Sequence, residues 1–246
     1  MKQIFYCIIC IALVGSLACK RTSDPIPVPI VDGDIKGAVD LYDESTTNLS
    51  NEGMIIAVGQ SVPLITGVSN INGEFILQDV PFGTYTLIYS KDGVGTYKIF
   101  DVGHQNSGEN TVIPHTPSLG QLSSTEVSEL TVEINGNNVV LTVTTNPGAS
   151  SDNPRYIRLF YDDQFNVSSV AYDQCSDGIE IKINPFEIIL TKTNLNNMGY
   201  ASGTTVFAKV YGDSYFSNDY EDPALGYRVF PNLNSVAAPP VSFVVP

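Results

Sequence analysis

Few side chains in this sequence could do chemistry, and their spacing limits what that chemistry is. Gly212-Asp213-Ser214 sets a hydroxyl beside a carboxylate at the end of an apolar alternation. A serine nucleophile needs a base within hydrogen-bond reach, and no histidine follows Ser214, so a turn after a strand is expected there. The two histidines are His104 and His115. Neither stands in a His-x-x-Glu pair that would put two ligands on one zinc, and both are expected on exposed loops. Cys175 lies in Asp173-Gln174-Cys175-Ser176-Asp177, where acidic neighbours raise a thiol pKa; it is expected to be a partly buried small side chain rather than a nucleophile. Carboxylates cluster at Asp32-Gly33-Asp34, at Asp40 with Asp43-Glu44, at Asp162-Asp163, and at Asp219 with Glu221-Asp222. Loop carboxylates from two loops can converge on calcium, but none of these runs has the regular spacing of a calcium loop; solvated loop tips are expected, and no metal ligand or cofactor is assigned. The remaining candidates are aromatic. Tyr215, Phe216 and Tyr220 stand among Asp, Asn and Ser over residues 213–220, a composition that suits stacking on a sugar ring or packing on a partner protein.

Composition narrows the function classes. The chain has 246 residues, with 26 acidic side chains against 12 basic ones and a formal charge of −14. Charge of this sign repels nucleic acid and anionic lipid head groups, so a nucleic-acid partner is excluded. With 43% apolar residues, 20 Gly and 15 Pro, the chain can bury a core but is too punctuated for long helices or coiled coil. There is no Trp, and three of the 4 Cys come before residue 20.

The elements that must position these residues are strands. From Asp34 the pattern has period two, with Ile35, Gly37, Val39 and Leu41 on one face. Further short runs at 54–58, 64–68, 74–80, 84–90 and 97–102 are each bounded by Gly, Asn, Pro or Ser. Residues 113–125, with Pro114, Pro117, Gly120 and Ser123-Ser124, have the composition of a linker. A second unit begins near Glu126: Leu130, Val132 and Ile134 alternate, and Asn135-Gly136 turns the chain into Val139, Leu141 and Val143. Strands are then expected at 156–161, 169–173, 179–184, 188–192, 204–211, 226–230 and 241–245. No stretch sustains a 3.6-residue period, which leaves parallel βαβ folds and their nucleotide sites without support.

The N-terminal segment is an address. Residues 1–18 carry Lys2, then an apolar run from Ile4 to Val14, then Gly15-Ser16-Leu17-Ala18 before Cys19. The run is short for a membrane span, and Gly15 to Cys19 resembles a bacterial lipobox, with Ser16 where Leu is usual. The resemblance implies cleavage before Cys19 and lipidation of that residue. More than one acyl chain anchors a protein stably. Lys20 lacks the Asp that holds some lipoproteins at the inner membrane, so the outer membrane is expected, facing periplasm or cell surface. Pro25, Pro27 and Pro29 alternate over the next stretch, which reads as a polyproline II tether on the order of 30 Å long.

Gly37-Ala38-Val39, the strand at 54–58, Val68-Ser69-Asn70-Ile71-Asn72-Gly73-Glu74-Phe75 and Val80-Pro81-Phe82-Gly83-Thr84-Tyr85-Thr86-Leu87 resemble the carboxypeptidase regulatory-like domain, a transthyretin-like β-sandwich. The match runs over about residues 34–103. Asn72-Gly73 would supply a turn with positive φ, Phe75 and Leu77 would point to the core, and Pro81 and Gly83 would place Tyr85 in the next strand. In that family the domain is an accessory module without catalytic residues. The second unit resembles fibronectin type III and immunoglobulin-like sandwiches in pattern alone, with Gly203 to Val210 similar to the penultimate strand of that fold. The expected architecture is all-β: a lipoprotein signal peptide (1–18), the lipidated Cys19 and Pro-rich tether (19–33), a carboxypeptidase regulatory-like sandwich (34–112), a linker (113–125) and an antiparallel immunoglobulin or fibronectin-III-like sandwich (126–246). The expected function is a non-catalytic, membrane-anchored binding or accessory module whose partner is an envelope protein or, as the alternative, a surface glycan.

Overall fold

The computed structural model describes residues 31–246, which form one unit; the expected signal peptide, Cys19 and residues 20–30 of the tether lie outside the described residues. The chain is built almost wholly of strands. The first nine are β1 (Asp32–Gly37), β2 (Asp40–Tyr42), β3 (Ile55–Val58), β4 (Thr66–Val68), β5 (Phe75–Pro81), β6 (Gly83–Lys91), β7 (Val94–His104), β8 (Thr111–Val112) and β9 (Ser118–Gly120). They make a sheet of order β5-β1-β8, a sheet of order β4-β3-β6-β7, and a β2-β9 pair. Alternation along these strands sends Ile35, Leu41, Ile56, Leu77, Leu87 and Tyr89 into one core. Gly73 takes φ +84, as the Asn72-Gly73 turn requires, and a Cβ there would overlap the Val39 carbonyl.

The second half contains β10 (Glu126–Asn135), β11 (Asn138–Asn146), β12 (Arg155–Asp162), β13 (Gln174–Cys175), β14 (Ile179–Ile181), β15 (Phe186–Thr191), α1 (Lys192–Asn197), β16 (Thr205–Asp213), β17 (Tyr220–Asp222), β18 (Tyr227–Val229) and β19 (Val241–Val244). A β10-β11-β15 sheet and a β13-β12-β16-β19 sheet, with β14 also on β12, enclose Val139, Leu141, Ile157, Leu159, Val206 and Phe243. The Asn135-Gly136 hairpin forms, with Gly136 at φ +59 and Asn135 opposite Asn138.

Several local expectations change. Residues 113–125 contain β9, which pairs in parallel with β2 and buries Leu119 in the first core; Pro and Ser around it disguise a single strongly packed residue. The pairing of β1 with β8 is also parallel, so the sandwiches are antiparallel only in the main. His104 is not on an exposed loop. Strand β7 runs past the expected 97–102, pairs Gly83 with His104, and buries the ring with Nδ1 2.7 Å from Thr111 Oγ1 and Nε2 3.0 Å from the Val80 carbonyl. Residues 169–173 are turns rather than a strand, because the Ser168 N–H closes onto the Ala171 carbonyl (2.8 Å) and Tyr172 folds onto Phe160 (5.0 Å). Helix α1 is too short to show a period; Thr191 caps it, its hydroxyl accepting from the Asn194 N–H (3.1 Å).

Strand β12 is buried on both faces. Its outward residues Arg158, Phe160 and Asp162 lie beneath the loop 163–173 and the long excursion 214–237; Phe160, Val167, Tyr211 and Phe230 form a small third core. Arg158 is held in this layer by Asp213 (Nε to Oδ2, 2.7 Å), by the Ser176 carbonyl (2.8 Å) and by stacking on Phe230 (4.5 Å). Burial pushes the Asp213 carboxyl up, against the opposing pull of Arg158.

The two sandwiches meet through the same excursion. Asn218 accepts from the Gly120 N–H (2.8 Å) and donates to the Gly95 carbonyl (2.9 Å), the Gly120 carbonyl (3.0 Å) and Asn232 Oδ1 (3.0 Å). Asn232, fully buried, donates to the carbonyls of Gly120 (3.1 Å) and Phe216 (2.6 Å). Glycine is required on the facing strands: a Cβ on Gly95 would overlap Asn232, one on Gly120 the Phe216 carbonyl, and one on Gly212 the Thr125 carbonyl. Lys98 of β7 pairs with Asp222 of β17 at 3.1 Å.

Two outcomes follow from this packing. Asn218→Ala removes these bonds and puts at φ +54 a residue that tolerates the left-handed region less well than Asn does, so urea unfolding should show a loss of about 2–4 kcal/mol, whereas Asn48→Ala on an exposed loop should cost less than about 0.5 kcal/mol. Asp213→Leu leaves the Arg158 guanidinium buried and uncompensated, and should cost about 3–5 kcal/mol by the same measurement.

Candidate functional site

The excursion that joins the sandwiches begins with the expected aromatic binding loop, and the structure divides its three aromatic residues between different tasks. Phe216 packs on Tyr42 of β2, with ring centroids 4.2 Å apart. Tyr220 meets Tyr97 at 6.2 Å and Phe100 at 5.9 Å, with the Lys98 ammonium 5.4 Å above its ring. Both are therefore committed to the junction. Tyr215 is 55% exposed; its N–H donates to the Glu44 carbonyl (2.9 Å), and its ring meets Tyr156 edge-on at 5.6 Å.

Beside Tyr156 lies a cleft of about 260 Å³. The first sandwich supplies Asp43, Glu44 and Ser45 from the loop after β2; the connector supplies Gln121 and Thr125; the second sandwich supplies Asn153, Pro154, Arg155 and Tyr156. Ser214 borders this region as a structural hydroxyl, donating to the Gln121 carbonyl (2.6 Å), and the Asp213 carboxylate accepts from the Ser214 N–H (2.8 Å). The Gly-Asp-Ser run is thus spent on the turn after β16.

Two polar atoms of the cleft residues are buried without a hydrogen-bond partner among the described residues: Thr125 Oγ1 and Arg155 Nε. A folded protein leaves few such groups, because each forfeits a hydrogen bond to water. The Asp43 carboxyl feels burial, which acts to raise it, but bonds from the Ser45 hydroxyl, the Ser45 N–H and the Thr47 N–H outweigh that and hold it below the usual range. Burial first, and then the Glu180 carboxylate, pushes the Tyr156 phenol up. At neutral pH the cleft therefore presents a fixed carboxylate, a neutral phenol and part of a guanidinium, while Thr125 Oγ1 and Arg155 Nε lie covered beneath its wall. Tyr215 stands beside this cleft rather than in its lining; it lines another cleft of about 300 Å³ with Tyr97, Pro117 and Ser118.

The other expected residues fall elsewhere. His115 is exposed. Cys175 is half-buried on β13, and burial pushes its thiol up, outweighing the lowering influence of Arg158. Most acid clusters are engaged: Asp219 and Glu221 with Arg228 (3.4 and 2.8 Å), Asp222 with Lys98, and Asp40 with the Asn51 amide (3.3 Å). Asp162 and Asp163 are joined by Asp173, with ligand oxygens within 4.8 Å of one another. Sequence reading missed Thr125 and Arg155, since an orphaned donor is visible only once the chain has packed, and it missed the convergence of Asp173.

No protein-family model matches the sequence, and no curated protein matches it. Among solved structures, the chain is similar to a candidate carbohydrate-binding protein from Bacteroides uniformis, at 15% identity over 87% of this chain and 99% of that one, with a TM-score of 0.32. A DUF3823 family protein from Parabacteroides merdae matches at 10% identity over 87% and 98% of the two chains, with a TM-score of 0.31. The major pilin SpaD of Corynebacterium diphtheriae matches at 12% identity over 87% and 67%, with a TM-score of 0.28. These likenesses are distant, and the chemistry of the site rests on its own residues.

Proposed function

We propose that this protein is a non-catalytic binding module of the bacterial envelope, held at the outer membrane by lipid on Cys19, and that it takes a neutral glycan in the cleft between its sandwiches. The observation that carries the glycan reading is the exposed Tyr215 ring set edge-on to Tyr156 beside a cleft lined by Asp43, Glu44 and Arg155, with the partnerless Thr125 Oγ1 and Arg155 Nε just beneath its wall. Sugar hydroxyls donate and accept at once, which suits the Arg155 guanidinium and the carboxylates of Asp43 and Glu44 around one small space. The apolar face of a pyranose suits an exposed tyrosine ring. The net charge of −14 works against polyanionic saccharides.

Membrane attachment is supported by the lipobox-like Gly15 to Cys19 and the proline-rich stretch after it. The resemblance of residues 34–103 to an accessory module supports a binding role rather than turnover. A second reading, docking on an envelope protein, is favoured by Val62-Pro63-Leu64, a loop that projects Val62 and Leu64 into solvent.

Two experiments test these readings. In thermal melts against gluco-, xylo- and manno-oligosaccharides, a bound sugar at about 100 times its Kd should add about 2.7 kcal/mol of stability. Tyr215→Ala should abolish that gain while leaving the sugar-free Tm within about 2 °C of wild type, and Arg155→Ala should also abolish it; absence of any gain across the series contradicts the glycan reading. For anchoring, cells grown with an alkyne-tagged palmitate analogue should label the wild-type protein, and Cys19→Ser should lose both the label and the membrane fraction. Label retained on Cys19→Ser would contradict lipidation at that residue.

A further inference from the structure

Strand β12 begins at the junction cleft with Arg155 and ends at Asp162, roughly 23 Å away at the usual rise per residue. At that far end the chain leaves through Asp163, loops over 163–173, and returns as β13, with Tyr161 opposite Gln174 and the Asp173 N–H donating to the Tyr161 carbonyl (2.9 Å). This return brings Asp162, Asp163 and Asp173 together, each offering an oxygen within 4.8 Å of the others. Asp162 is buried, and the ion pairs formed among the described residues use other carboxylates. Three like charges so close repel one another; the Gln164 N–H (2.8 Å to Asp162 Oδ1) and the Gln164 amide (2.6 Å to Asp163 Oδ1) offset this in part, and a cation between the carboxylates would remove it.

A second observation comes from a different element. Tyr200, in the loop after α1, is 6% exposed, and its hydroxyl is buried without a hydrogen-bond partner among the described residues. The carboxylates near enough for their charge to reach that hydroxyl are Asp173, Asp162 and Asp163. Three carboxylates from two passes of the chain and one unsatisfied hydroxyl from a third thus converge at one end of the sandwich. Hard oxygen donors without imidazole or thiolate select an alkaline-earth ion over zinc, and an open set of loop carboxylates suits the flexible shell of calcium better than the rigid octahedron of magnesium.

We propose that Asp162, Asp163 and Asp173, with Tyr200 beside them, form a calcium site that pins the 163–173 loop to the end of the second sandwich. The carboxylates are the ligands, and a water carried by the cation supplies the partner that the Tyr200 hydroxyl lacks. This site is independent of the glycan cleft at the other end of β12.

Terbium alone, added to the detergent-solubilised full-length protein, provides the test, because tyrosine excitation sensitises terbium held nearby. Saturable emission is expected, displaced by calcium and not by an equal concentration of magnesium, and calorimetry with calcium chloride should give one site. Asp163→Asn, an exposed change that leaves the core intact, should weaken calcium binding at least 10-fold without lowering the calcium-free Tm; Tyr200→Phe should weaken it with the far-ultraviolet spectrum unchanged. Calcium chloride that produces neither heat nor a rise in Tm overturns the proposal. Terbium emission that survives both Asp163→Asn and Asp173→Asn overturns it equally, because the cation would then sit elsewhere.

Discussion

Two buried amides, Asn218 and Asn232, hold the two halves of this chain together, and much of the remaining structure follows from giving them partners. An amide side chain bonds in several directions, and when buried it must find those bonds or forfeit them. Here the partners are backbone groups of Gly95 on β7 and Gly120 on β9, which the amides can reach only because neither glycine carries a Cβ. The excursion after β16 is therefore drawn down onto the first sandwich. It carries Phe216 and Tyr220 into aromatic contacts with that sandwich, leaving Tyr215 at the surface. The candidate binding cleft exists as a consequence: Asp43 and Glu44 come from one half, Arg155 and Tyr156 from the other, and their meeting depends on the junction.

Polar groups are handled in two ways in the second half. Near the junction they are saturated, as with Arg158, whose guanidinium has a carboxylate, a carbonyl and an aromatic face, and with Ser214, whose hydroxyl is taken by Gln121. At the cleft and at the far end of β12 they are left wanting. Thr125 Oγ1, Arg155 Nε and the Tyr200 hydroxyl are buried without partners among the described residues, as is the Tyr89 hydroxyl in the first core. Tyr89 lies in the first core with no cleft or charged cluster beside it, so an orphaned group bears on ligand binding only where, as at the cleft and at the aspartate trio, other polar groups converge on it.

Elements governed by local rules were legible in the sequence. The Asn72-Gly73 and Asn135-Gly136 turns, the alternation through β1 and β10, and the burial of Phe75 and Leu77 follow from steric preference and a period of two. What was not legible depends on residues distant in sequence. Leu119 sits among prolines and serines, and only its pairing with Leu41 makes it a core residue. His104 shares a face with Val102, so extending the alternation by one step would have placed it inside. The aromatic run 213–220 has one composition but divides between junction and surface, a division set by where Asn218 finds its partners. Asp173 joins Asp162 and Asp163 only because β13 folds back on β12.

The junction makes the two sandwiches one cooperative body, with the cleft as its product. Differential scanning calorimetry of the full chain tests this most directly. A single transition whose calorimetric and van't Hoff enthalpies agree is predicted, because unfolding either half would strip Asn218 and Asn232 of their partners. Two resolved transitions, or a calorimetric enthalpy near twice the van't Hoff value, would show halves that melt independently and would contradict it.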